Sequence, residues 1–223
     1  GDKLLPDAPW NLAKLRAMDA DVRLRAKRIE TRALPVDDMD ATLALKDGVL
    51  VLKPLDFGVA DGTIRSTIRM DARERVIRSR ADIRATGLVL AKLMPDSAQL
   101  AQSAVGKVGG KVAFDSSGNS IALLAGHATG DAEAGMGAGR ISKLLMEFAG
   151  MDLAGILKIK LTRDKQIPIR CAYGDFAVKD GVMTPRALVF DTTETRLNGS
   201  GSIDLRNERL DLVIKPTTKK FSP

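Results

Sequence analysis

The sequence predicts a mainly β fold with a few helices (α+β): a strongly curved antiparallel β-sheet or β-groove built from an internal repeat, with helices covering one face or end. Three observations predict it. The first is a tract written twice, Leu34 to Asp71 and Ile167 to Asp204, which align without a gap and are identical at about nine of roughly thirty-eight positions. Pro35 falls on Pro168, the run Lys46-Asp47-Gly48-Val49 on Lys179-Asp180-Gly181-Val182, Leu55 and Phe57 on Leu188 and Phe190, and Asp71 on Asp204. The second is a period of two within each copy: Met39, Ala41, Leu43 and Leu45 alternate with Asp40, Thr42, Ala44 and Lys46, the signature of a strand with one buried face. The third is turn chemistry. Asp47-Gly48 and Asp180-Gly181 suit a two-residue hairpin loop, whose central residues both need positive φ.

Taken along the chain, residues 1–19 read as a lead-in, with Trp10 folded onto the body and a short helical turn over 12–18. Ala20 to Thr31 is the first strand. Its Arg23, Arg25 and Lys27 alternate with Val22, Leu24 and Ala26, as a solvated face would. The block 20–86 continues through the first copy, with turns at Asp47-Gly48 and Asp61-Gly62. Its last strand carries Ile77, Ser79, Ala81, Ile83 and Ala85. Val49 to Leu52 is apolar on both faces, which predicts partial cover on both sides of the sheet.

Residues 87–165 change character and read as a helix-containing insertion with one or two strands. Ser97 opens a short helix, Gly106 to Phe114 is a strand with glycines making close backbone contacts, and Ser120 is the N-cap of a helix from Ile121 to about His127. Ile141, Leu144, Leu145 and Phe148 recur at helical spacing, and a second run from Asp152 to Leu161 follows Gly150. This helix pair is expected to lie as a lid on the sheet. The second β block spans 167–215. Pro185 lacks a ladder donor, which predicts an edge, a bulge or a break in its strand. Residues 216–223 form a truncated tail. The chain starts without Met, and more strands are expected in a longer parent; the whole stretch reads as one continuous domain.

Composition narrows the function. A hydrophobic content of 44% with only 4% aromatic residues gives an aliphatic core unlike an aromatic-rich binding platform. The net charge is +7, but the basic residues alternate with apolar ones and acids, so no nucleic acid partner is expected. A basic surface meeting acidic lipid headgroups is the alternative to a merely solvated face. One cysteine, Cys171, excludes an internal disulfide and a thiolate zinc site, and it reads as a packing residue. No apolar stretch is long enough to span a bilayer.

The chemical motifs are weak. His127 is the one histidine, with no nucleophile elbow near it, so neither a triad nor a metal site is expected. The run GKVGGK at 106–111 lacks the spacing and the hydroxyl residue of a phosphate loop, and Gly135, Gly137 and Gly139 lack the dinucleotide fingerprint. They read as a turn into a helix at Arg140. Asp47 and Asp180 belong to their turns rather than to a catalytic pair. No catalytic residue, metal or cofactor is expected, and a hydrolase is disfavoured.

The candidate site is instead apolar. Leu43, Leu45, Leu55, Phe57, Ile64, Ile68 and Met70, with Phe176, Val178, Leu188, Phe190, Leu197 and Ile203, are the residues expected to line a groove that shelters acyl chains, or to pack against the lid helices. A scaffold that binds no lipid and works through an open sheet edge is the rival reading.

Several segments resemble the conserved C-terminal region of the AsmA family of Gram-negative bacteria. They are Gly139 to Leu145, Asp164 to Ala172, Asp175-Phe176 with Asp180-Gly181-Val182, Asp191-Thr192 with Gly199 to Leu205, and Leu43 to Phe57. That resemblance covers nearly all of the chain from Ala20 onward. It implies an inner-membrane anchor helix outside this stretch and a periplasmic location. It also implies a bridge-like β-groove that carries phospholipid toward the outer membrane or influences outer-membrane assembly. Phospholipid acyl chains are the implied partners, with membrane surface or envelope proteins beside them, and no catalytic residues come with the family.

Overall fold

The structure is a computed structural model that describes residues 5–31, 34–93, 105–142, 166–193 and 195–219. Its strands are β1 (Ala20–Ile29), β2 (Val36–Lys46), β3 (Val49–Val59), β4 (Gly62–Asp71), β5 (Arg78–Val89), β6 (Lys107–Ser117), β7 (Thr129–Met136), β8 (Gly139–Ser142), β9 (Gln166–Lys179), β10 (Val182–Thr192), β11 (Thr195–Asp204) and β12 (Arg209–Thr218). They form one open, curved, 12-stranded antiparallel sheet. Each strand pairs with the next in sequence, except that β7 and then β8 lie along the same side of β9. The middle of the chain thus contributes β6, β7 and β8, and the sheet runs through it without interruption.

The two copies share their turns and bulges. Both predicted hairpins are present, with Asp47 at φ 49° and Gly48 at 73°, and Asp180 at 49° and Gly181 at 79°. The turn between β3 and β4 falls one residue earlier than the sequence suggested, on Ala60 (φ 48°) and Asp61 (φ 59°). Gly62 is already in β4, and a Cβ there would stand 2.5 Å from the Leu88 backbone nitrogen. Both copies also carry a bulge at the same place. The register shifts between Leu52 and Leu55 in β3, and between Pro185 and Ala187 in β10. Pro185 therefore marks a bulge, where a missing N–H costs the ladder least.

The two α-helices of the described residues sit at one end. Helix α1 (Leu12–Ala17) lies against β3, with its Arg16 beside the Gly48 turn. Helix α2 (Ile121–Gly126) begins as predicted, with Ser120 Oγ accepting the Leu123 N–H at 3.2 Å. The lead-in then crosses the loop ends on this rim one after another. The Leu5 N–H donates to Glu208 Oε1 (3.0 Å), Pro6 O accepts from Ala122 N (2.9 Å), and Trp10 N donates to Asn119 O (2.8 Å). Arg16 Nε donates to Ala72 O (2.6 Å) and its Nη2 to Glu74 O, while the Asp19 carboxylate accepts the Asp47 N–H at 3.0 Å. Arg206 ties the last loop to the same rim by donating to Gly126 O at 2.9 Å. The three most completely buried of the described residues are here: Ile77 (0% exposed), Ala72 and Ser120, with Ala128 beside them.

Two further sequence expectations are corrected, and two fall outside the described residues. The expected helix beginning near Arg140 is a strand at its start, because Gly139–Ser142 pairs with Gln166–Ile169. A Cβ on Gly139 would stand 2.2 Å from Val105 O, which explains a glycine without invoking a helix. Cys171 is exposed rather than packed. It sits opposite Asp191, on the polar side of β9, one step out of phase with Ala172. The short helix at Ser97, and the remainder of the helix pair up to Leu161, lie outside the described residues.

Candidate functional site

Strand alternation and register together sort the side chains onto two unlike faces. One face carries, pair by pair across the strands, Leu43 with Leu52, Leu50 with Met70, Leu52 with Ile68, Phe57 with Ile64, Ser66 with Ile83, Ile83 with Val112 and Phe114 with Gly130. It continues through Ala132 with Phe176, Val178 with Met183, Phe190 with Leu197, Met183 with Ile203, and Ile203 with Leu210. Every candidate lining residue lies on this face, those of the first copy on β2, β3 and β4 and those of the second on β9, β10 and β11.

The face is packed in one region and open in another. Phe176, Val178, Ala128 and Ala132 form a cluster joined by Val112, Phe114, Met183, Leu188 and Ile203, and Leu197 centres a second with Phe190 and Ile214. In the first copy Leu45 is buried, but Leu43, Leu55, Phe57, Ile64, Ile68 and Met70 stay half-buried. At the sheet margins the apolar side chains are in contact with water: Val22 is 51%, Leu24 46% and Leu210 73% exposed. Polar residues on this face satisfy their hydroxyls internally. Ser66 Oγ donates to Leu55 O (2.6 Å), Ser116 Oγ to Leu124 O (2.5 Å) and Thr192 Oγ1 to Thr195 O (2.8 Å). The face therefore presents hydrocarbon with little competing hydrogen-bond demand.

The opposite face is charged. Arg25 pairs with Asp40 (3.2 Å), Arg80 with Asp115 (3.1 Å) and Lys111 with Glu133 (2.9 Å). The β10 bulge turns Arg186 to this side, where it bridges Asp175 (2.8 Å) and Asp131. Its pKa rises because of the hydrogen bond to Asp131 and then that to Asp175. Two depressions, of about 910 Å³ and about 350 Å³, open on the charged face. The apolar candidates take no part in lining them.

The chemical motifs settle into structural places. His127 caps α2, with Nδ1 2.8 Å from Leu123 O, and Asp47 and Asp180 occupy separate turns. Gly110 lies where a Cβ would stand 2.3 Å from Glu133 O, so the glycines of residues 106–111 permit the close approach of β6 and β7. Among the described residues no group of three or more His, Cys, Asp or Glu is arranged to hold a metal. Among them, no helix is long and apolar enough to cross a membrane.

The comparisons with known proteins follow the same line. The profile described as the AsmA family matches residues 1–188. The chain is 35% identical over 218 residues to the AsmA family protein YhjG of Escherichia coli (strain K12), covering 97% of this chain and 32% of that protein. The chain thus spans about a third of the length of this relative. No solved structure matches it significantly. On the extent of both matches, the chain belongs to the AsmA family.

Proposed function

We propose that the apolar face is a platform for phospholipid acyl chains. In this reading the chain is a non-enzymatic periplasmic part of a longer, inner-membrane-anchored protein that contributes to phospholipid transport between the two membranes and to outer-membrane biogenesis. One observation carries the proposal: a single apolar face runs across the sheet from β1 to β12, and in its first half most of the large side chains are only half-buried. Burying a methylene is worth about 0.8 kcal/mol, so about ten methylenes half-covered on this face would gain about 4 kcal/mol without any fixed hydrogen bond. Binding of that kind discriminates poorly between headgroups. It tolerates sliding along the face, as transport requires. Family membership supports the envelope setting.

The test is mass spectrometry of lipids extracted from the purified protein, comparing wild type with Phe57→Asp and Phe190→Asp. Wild type should carry phospholipid, and each folded variant should carry several-fold less. Protein free of lipid, with variants indistinguishable from it in lipid-transfer assays, would refute the proposal. A scaffold acting through partner contacts is the second reading, favoured by the exposed apolar side chains at both sheet margins, Val22 and Leu24 on β1 and Leu210 on β12. It predicts lipid-free protein.

A further inference from the structure

The charged face carries an arrangement that the apolar platform does not need. Arg65, Arg84 and Lys111 stand directly opposite one another on β4, β5 and β6. Neighbouring strands are about 4.8 Å apart, and like charges facing each other across a ladder destabilise it. Asp56 stands opposite Arg65 and Glu133 opposite Lys111, so it is Arg84 that faces a cation on both sides and no acid across the ladder, and the nearby acids have other partners as well. Asp56 Oδ1 accepts the Ser66 N–H (3.2 Å), Asp82 pairs with Arg80 (3.4 Å), Asp131 with Arg186, and Glu133 with Lys111 (2.9 Å). Arg65, Arg84 and Lys53 are left without an ion pair or side-chain hydrogen bond among the described residues.

The repeat sharpens the contrast. Lys53 lies at the β3 bulge as Arg186 lies at the β10 bulge, but Arg186 meets two carboxylates and Lys53 meets none. Lys53, Arg65 and Arg84 all line the larger depression, and Arg84 and Lys111 also border the smaller one. The smaller depression includes Gly109 and Gly135, whose lack of side chains leaves room beside Arg84.

We propose that the larger depression is a binding site for a phosphate-bearing anion, held by Arg65 and Arg84 with Lys53 at its side. A guanidinium fork matches two phosphate oxygens, and two forks facing each other across adjacent strands can share one phosphate between them. Binding removes the repulsion between the arginines. It is a surface site, so salt weakens it. The phosphate could belong to a lipid headgroup or to a soluble phosphate ester. The site is on the opposite side of the sheet from the acyl platform and stands or falls independently of it.

The test is titration of the full chain, at low and at physiological ionic strength, with inorganic phosphate, with glycerol 3-phosphate, and with vesicles of phosphatidylglycerol or of phosphatidylcholine. It is run on wild type, on the double variant R65Q/R84Q, and on R25Q as a control for loss of charge elsewhere on the same side. The site predicts binding that falls at least tenfold in the double variant and less than twofold in R25Q. Binding of the soluble phosphates identifies a soluble ligand, and binding of phosphatidylglycerol vesicles alone identifies a headgroup. Without ligand the double variant should melt no lower than wild type, since it loses a repulsion. Absence of binding to every probe, or equal losses in R25Q and R65Q/R84Q, would overturn the proposal.

Discussion

The strapped rim and the apolar face of this sheet are built on opposite terms. At the rim, Ile77 and Ser120 are sealed from water, and the lead-in bonds to loop after loop through backbone groups and single side chains. On the face, large side chains such as Leu55, Phe57 and Ile68 stop at half burial although a sheet with this much hydrocarbon could be closed by a covering helix. The difference separates a rim that completes its own burial from a face that does so only in part. Completing burial at the rim holds the loops in place, whereas among the described residues much of the first copy's face is left only half-buried.

Substitutions can break that separation if it is wrong. The largest effect belongs to Ile77→Ala, which empties a fully buried position and should cost about 2–5 kcal/mol, read as a lowered urea midpoint. Lipid carried per folded molecule should not change. Asn119→Ala should come next. Its Oδ1 accepts the Ile77 N–H (3.0 Å) and its Nδ2 donates to Arg75 O (2.9 Å), so the variant orphans a backbone donor in the rim at about 1–3 kcal/mol. Phe57→Asp, by contrast, should move the midpoint less than Ile77→Ala while removing lipid. A face variant as destabilising as the rim variant would show that the face is core.

The smallest effect is electrostatic. Asp71, at the rim end of β4, accepts a hydrogen bond from the Arg73 guanidinium at 2.5 Å, which lowers its pKa from 3.8 to about 2. A carboxylate depressed on folding contributes stability above its ordinary pKa and loses it as pH falls through the folded value. The Tm of wild type should therefore drop between pH 4 and pH 2 by slightly more than that of Asp71→Asn. An equal drop would mean that this pair adds nothing to the rim.

How legible each part was in the sequence depends on side-chain size. Where large apolar residues alternate, as at Leu43 and Leu45 or Ile64, Ile68 and Met70, period two reads off directly and places the side chains on one face. Strand β7 escaped notice because its apolar positions are Gly130, Ala132 and Ala134, which are too small to register as a stripe. Their bulk is supplied by Phe114 and Phe176 on the flanking strands. At β8, the helical spacing from Ile141 to Phe148 masked a strand that is set by pairing with β9. The strap on the rim has no periodic signal at all, since it depends on backbone groups of Pro6 and Trp10 meeting partners more than a hundred residues away. The charged depression was equally hidden: the alternation of basic residues predicted a solvated face, but which cations lack an acid is decided by register.

The most direct measurement is photocrosslinking with a phospholipid whose acyl tail carries a diazirine, followed by mapping of the adducts by peptide mass spectrometry. If acyl chains rest on the apolar face, adducts concentrate on Leu55, Phe57, Ile68 and Phe190 and spare Thr67, Arg69 and Tyr173 on the other side. Adducts spread equally over both faces, or confined to the charged one, would contradict it.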